Sequence, residues 1–405
     1  MPPGPPSPAP AAATPEKGGR RVWFDLHSWV GLKLCVLMAF VCFTGTLAVF
    51  SHEIDWALHD EMRVSPAPER ASWGAMVGAV QQAYPAWTIN GLSAPKGPRS
   101  AAMASMETDE GRLRFVWVDP YRAAVTGDTH WFNAQRFLRN THRHLMMPVK
   151  FGVPIVSALA IALLVTLVTS LVIYRHWWRG FFSMPRPERQ RRFWGDVHRL
   201  AGVWSLWFIA LIAATGVWYL VESLGGGAGG QADVLAERAD NAAIAPTSAI
   251  TSAITSAITP AAVDRAIAQA RSQWPGLEVR RLALSDRGIV IEGQAEAWLV
   301  RDRANALGFD TTGGIVTGRR AGTDLDVHHR ISEMADPLHF GTFGGLATQL
   351  IWFVFGLLLT ALSVTGAYLY GLRVADAMRA AARKAAKRAG KGTVALPTEN
   401  EAVHP

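Results

Sequence analysis

The chain has 405 residues, half of them hydrophobic and 16 of them Trp, with two cysteines. Lys and Arg outnumber Asp and Glu by 40 to 32, a formal charge of +8. These values exclude a small single domain, a disulfide-stapled secreted fold and a cysteine-based zinc or iron–sulfur centre. The apolar residues gather in four runs, Val30–Phe50, Phe151–Tyr174, Leu200–Val221 and Leu346–Tyr370, each of 21 to 25 residues. About 20 residues of helix cross a bilayer core, so four transmembrane helices are expected.

In chain order, residues 1–21 are Pro- and Ala-rich and are expected to be a disordered cytoplasmic segment. The apolar run that follows is too long for the core of a signal peptide, so residues 22–50 are expected to stay as the first membrane helix. Lys33, the only charge within the four runs, is near enough to a helix end to reach the interface. Cys35 and Cys42 stand seven residues apart on one face and are expected to pack rather than to bridge. Residues 51–139 read as an α+β domain: an amphipathic helix ending at Pro85, a strand, then strands in "SAAMASME", "RLRFVWVDP" and the turn-bearing "VDPYRAAVTGD". Membrane helix two covers 140–174, a basic cytoplasmic loop 175–195 and membrane helix three 196–221.

Residues 222–258, with "GGGAGG" and three copies of "TSAI", read as a flexible linker. A second α+β domain spans 259–335, with a helix broken at Pro275-Gly276 and strands in "LEVRRLALS", "GIVIEGQ", "AEAWLVRD" and "FDTTGGIVTGR". Asp119 matches Asp310, and Val125-Thr126-Gly127 matches Val316-Thr317-Gly318, so the two halves are expected to be a parallel internal repeat. Membrane helix four covers 336–370 and a basic cytoplasmic tail 371–405. Arg20 and Arg21, the seven arginines between 175 and 199, and the basic tail all fall on one side. The positive-inside rule makes that side cytoplasmic, with both termini there and both α+β domains periplasmic in a bacterial inner membrane. No basic patch interleaved with aromatics points to nucleic acid; the expected surroundings are membrane lipid.

A histidine precedes or opens each apolar run, with Asp or Asn just before it: Asp25 and His27, Asn140 and His142, Asp196 and His198, Asp336 and His339. Asp and Asn are favoured N-caps and Pro337 suits a first helical position, so each His is expected in the first turn of its membrane helix. Alternating helix directions then pair His27 with His198 on the cytoplasmic side and His142 with His339 on the periplasmic side. Two imidazoles per layer, with no carboxylate or Cys beside them, fit the axial ligands of a b-type haem, two haems in all. His144 and His52 are alternates for the outer pair. His328 and His329 read as solvated or substrate-side, Met146 and Met147 as packing, and Pro148 as a kink in helix two. Gly45, Gly216 and Gly366 allow a helix or a flat cofactor to approach closely, and Trp29, Trp204, Trp207 and Trp218 are candidates to line it.

The segments "DLHSWVGL", "FTGTLAVFSHEID", "THRHLMMPVKFG", "DVHRLAGVWSL", "DPLHFGTFGG" and "SVTGAYLYGLR" resemble the PepSY-associated transmembrane family, which includes inner-membrane ferric-siderophore (ferrioxamine) reductases. The resemblance spans about 20–375, and both α+β domains look PepSY-like through "VDP…VTG" and "FDTTGGIVTG". It implies a helical membrane protein with a four-helix bundle and two periplasmic PepSY-like domains. It places haem ligands at His27, His142, His198 and His339, and favours His142 over His144. The long TSAI-bearing insert departs from the family pattern.

The expected function is electron transfer from a cytoplasmic reductase or quinol, through an inner and an outer haem, to a periplasmic ferric siderophore, with release of Fe(II). No residue is expected to act as acid, base or nucleophile. No Gly-x-Gly-x-x-Gly follows a strand, so the electron donor is a separate protein or molecule. Surfaces near Trp131, Phe132, Met146 and His328-His329 are candidates for the acceptor. A haem-free regulatory or binding protein and a reductase of another periplasmic acceptor are the alternatives; transport is disfavoured because the helices are nearly uninterrupted.

Overall fold

The computed structural model describes residues 18–228 and 258–391; the Pro-rich start, the TSAI copies through 257 and the end of the basic tail lie outside them. Among the described residues four helices are long and apolar enough to cross a membrane, over Gly19–Val49, Val149–Ile173, Leu206–Gly226 and Thr342–Ala386. They correspond to α1 (Gly18–Val49), α5 (Val149–Ile173), α7 (Leu206–Val221) with a π turn at Glu222–Gly226, and α10 (Gly345–Lys391). A helix meets its own backbone hydrogen-bonding needs, which lipid cannot. Cys35 and Cys42 are free thiols.

The helices that carry the histidines differ from expectation. None of Asp25, Asn140, Asp196 and Asp336 is an N-cap. α1 runs unbroken through Asp25, which instead lies four residues after Arg21 and 3.9 Å from its guanidinium. The helix expected over 140–174 is two: α4 (Ala134–His144), capped by Asn133, and α5. Leu145 (φ 54°) and Met146 (φ 59°) are left-handed between them. Pro148 therefore sits in a full break rather than a kink, since it lacks an N–H and turns the preceding residue out of the helical region. α6 (Gln190–Trp204) carries His198 and meets α7 across Ser205. α9 (Val327–Phe340) is capped by Asp326 and ends at Gly341 (φ 68°), before α10. A cap contributes about 1 kcal/mol, which continuous helix-forming sequence upstream outweighs at all four positions.

The chain forms two compact units, one of residues 1–40, 162–210 and 358–405, the other of 41–161 and 211–357. In the first, Asp196 is buried and accepts from Arg186 and Arg199, each at 2.9 Å. Gln190 donates to the Tyr368 hydroxyl, and Arg191 pairs with Asp376. The last two bonds tie the start of α6 to the second half of α10.

The second unit contains one eight-stranded antiparallel sheet in the order β4-β3-β2-β1-β5-β6-β7-β8. Strands β1 (Thr88–Ser93), β2 (Ala102–Glu107), β3 (Leu113–Asp119) and β4 (Ala124–His130) follow α2 (Ser51–Leu58) and α3 (Trp73–Ala83). After α8 (Pro260–Gln273) come β5 (Glu278–Ser285), β6 (Gly288–Gln294), β7 (Asn305–Phe309) and β8 (Val316–Arg320). The two α+β segments expected to be separate thus share a sheet, joined where Gly91, Leu92 and Ser93 pair with Ala283, Leu282 and Arg281. Pairing two otherwise open edges removes the liability that each would present. "AEAWLVRD" is not a strand: Leu299 is left-handed (φ 57°), and the fully buried Asn305–Phe309 takes that place beside β6. Asp119 and Asp310 each accept backbone N–H groups of the turn that follows, and both β3–β4 and β7–β8 carry a bulge at the matching position. Met76, Val77 and Val80 of α3 and Val263, Ala266 and Ala270 of α8 fill one face of the sheet. Phe115, Trp117, Met62 and Ala101 form a smaller core on the other.

Candidate functional site

His142 and His339, expected to face the periplasm, end two short helices rather than open two long ones. His142 lies in the last turn of α4 and His339 in the last turn of α9. Their ring centroids are 6.1 Å apart at 42°. The αL residues that stop each helix, Leu145 and Gly341, position the rings, and Trp352 Nε1 donates to the Leu338 and His339 carbonyls at 3.0 and 3.1 Å. Gly45 makes room for one ring: a Cβ there would stand 2.6 Å from Cε1 of His142. Burial pushes both imidazoles toward the neutral form, His339 down to about 3; repulsion between the rings adds to this and Asp336 opposes it. Asp336 itself accepts from the Tyr219 hydroxyl (2.7 Å) and pairs with Arg301 (2.7 Å), and the Tyr219 ring lies 5.2 Å from that of His339.

His27 on α1 and His198 on α6 belong to the first unit and lie within Coulombic reach of each other. Gly366 faces His198, 3.5 Å from its Cε1 by the position a Cβ would take, whereas Gly216 faces Ala160.

All four rings are oriented through Nδ1. Thr169 Oγ1 lies 3.0 Å from Nδ1 of His27, Thr365 Oγ1 2.8 Å from that of His198, and Thr215 Oγ1 2.9 Å from that of His339. The Val41 carbonyl lies 2.9 Å from Nδ1 of His142. Each threonine directs its own proton to a carbonyl one turn back: Val165 at 2.7 Å, Ala361 at 2.6 Å and Leu211 at 2.9 Å. The hydroxyl oxygens, like the carbonyl, are then acceptors, and Nδ1 carries the hydrogen in every ring. That leaves the Nε2 lone pair free, the tautomer that binds a metal. These threonines were not among the expected site residues. Their trace in the sequence is a Thr before Gly216 and Gly366, as before Gly45.

Among the described residues no three His, Cys, Asp or Glu side chains form a metal-ligand cluster. Two imidazoles with free Nε2 atoms fit a metal whose other ligands belong to a macrocycle. His142 and His339, whose ring centroids stand 6.1 Å apart, are the residues that would hold such a metal in the second unit.

The other histidines have different settings. His144 and His52 each have one buried ring nitrogen without a hydrogen-bond partner, Nδ1 and Nε2 respectively. The ring opposite His339 is that of His142. His328 lies 3.0 Å from the Gly226 carbonyl through Nε2, and His329 lies beside its helix cap Asp326. Trp204 donates to the Phe181 carbonyl, and Trp218 to Glu222 and Ser332, so both anchor their own surroundings.

An α-helical membrane protein of four spanning helices with an α+β part built on one antiparallel sheet is the class that these features define. The model of the PepSY-associated transmembrane region matches residues 24–373, and the chain belongs to that family. No curated protein matches it.

Proposed function

We propose that the chain carries two b-type haems, the inner on His27 and His198 and the outer on His142 and His339, and passes electrons across a bacterial inner membrane to a periplasmic ferric chelate. The observation that carries this reading is the common orientation of the four rings, each with Nδ1 engaged by a Thr hydroxyl or a backbone carbonyl, which leaves the lone pair on Nε2. The haem iron, when bound, supplies the one-electron redox chemistry. The protein's own part is to hold neutral imidazoles in fixed tautomers and to keep water from His142 and His339 by burial. The positive-inside bias of the 175–199 loop supports a cytoplasmic placement for the inner pair. The donor is a quinol or a cytoplasmic reductase, and the acceptor a ferric siderophore; a parallel repeat would account for the two equivalent histidines within each pair.

Absorption spectra of the purified chain, oxidised and dithionite-reduced, test the reading. Sharp reduced bands at about two haems per chain, halved by His142→Ala and retained by His144→Ala, are expected. A protein that stays colourless when haem is supplied sinks it. A haem protein that ferric siderophores do not reoxidise keeps the centres and loses the acceptor.

A further inference from the structure

A cavity of about 910 Å³ opens in the α+β part, between the start of α3, the middle of α8, the start of β5 and the loop after β1. It is of the size of small-molecule clefts. Arg70, Lys96, Arg271 and Arg280 line it, against Asp264 and Glu278. Both acids are already engaged: Asp264 accepts from the Ser72 hydroxyl and the Gly74 N–H, each at 2.8 Å, and Glu278 pairs with Arg280 at 2.7 Å. Arg70, Lys96 and Arg271 make no hydrogen bond or ion pair among the described residues, and Nε of Arg280 is buried without a partner. Four cations against two carboxylates in one concave site, beside Trp73 and the apolar wall of Ile267 and Leu277, form a recognition surface for an anion with a flat or apolar portion, although Glu53 and Asp302 also act on Lys96 and Arg70 lies over the Tyr121 ring.

The position adds a second constraint. Lys96 lies within Coulombic reach of Arg139, which stands one turn before His142 on α4. Lys96, which Glu53 and Asp302 also reach, thus places one wall of the cavity near the helix that carries His142. We infer that this cavity binds the electron acceptor, and that the acceptor is an anionic metal chelate with carboxylate or catecholate donors rather than a neutral or cationic one. The inference rests on the reading of His142 and His339 as the exit of the electron path.

The test is direct binding of gallium(III) citrate, a redox-silent anionic chelate, to the full haem-loaded chain in detergent, followed by titration calorimetry. Saturable binding is expected, weakened about tenfold by Arg271→Gln or Lys96→Gln and restored by the charge-conserving Arg271→Lys and Lys96→Arg. A gallium trihydroxamate with a pendant ammonium should bind at least about tenfold more weakly. No saturable binding of the citrate complex, binding that ignores these substitutions in folded protein, or equal binding of the cationic chelate overturns the inference. Two further outcomes separate it from the proposed function. Gallium citrate binding by a chain that takes up no haem leaves the anion site standing and removes the electron path. Two haems reoxidised by ferric chelates, without gallium citrate binding, removes the anion site alone.

Discussion

The hydroxyl of Thr365 lies 2.8 Å from Nδ1 of His198 while donating its own proton to the Ala361 carbonyl at 2.6 Å. One side chain on α10 thereby decides which nitrogen of a ring on α6 keeps a lone pair. Thr169 and Thr215 do the same for His27 and His339.

Thr365→Val should therefore leave a buried imidazole N–H without an acceptor, at about 1–3 kcal/mol. The inner centre is expected to lose haem about 10–100-fold more readily on dilution, with the outer centre unchanged. Thr365→Ser keeps the hydroxyl and should behave as the parent. Haem-to-protein ratios after serial dilution measure this; equal retention in Thr365→Val refutes the orienting role.

Gly45→Ala places a methyl 2.6 Å from Cε1 of His142. The ring must move, so the outer centre should be lost and the haem content fall from about two to about one per chain. Gly216→Ala, which meets the Ala160 methyl at 2.7 Å and no histidine, should lower stability without that selective loss. Reduced-minus-oxidised spectra of the two variants distinguish them.

Phe309 is fully buried in β7, the strand that takes the place expected for "AEAWLVRD". Phe309→Ala should cost about 3–5 kcal/mol. The thermal midpoint of the sheet, followed by far-UV circular dichroism in detergent, is expected to fall accordingly, whereas a change at exposed Trp298 should leave it nearly unmoved.

Asp310 gives the pH dependence a sign. Burial alone would raise its pKa, but N–H groups of Ile315 and Gly314 and the Thr312 hydroxyl together hold it below its ordinary 3.8. The unfolded chain then binds the proton more readily. The contribution is fully present above the unfolded value and is lost as pH falls below about 3.8 through the folded one. The gap in thermal midpoint between the parent and Asp310→Asn should be wide at pH 7 and close on acidification; a gap that widens contradicts the assignment.

Much of this molecule is written locally. Four apolar runs, the amphipathic helices before β1 and β5, and the alternation that makes most of the strands depend on neighbours a few residues away, and the sequence alone determines them. It also singles out the histidines, because a polar ring beside a long apolar run stands out. What it could not decide is where each helix ends. Asp25, Asn140, Asp196 and Asp336 carry the chemistry of caps, yet all four lie inside helices, because a cap's small local preference yields to tertiary burial and to continuous helix on its N-terminal side. Nor do β1 and β5 announce their pairing; a strand's partner is set by register and by which edges meet, a long-range matter. The tertiary structure also supplied the acceptors for Nδ1. Thr169 is 142 residues from His27, and Thr365 is 167 from His198, so only packing brings hydroxyl to ring and sets the tautomer on which the proposed haem ligation rests.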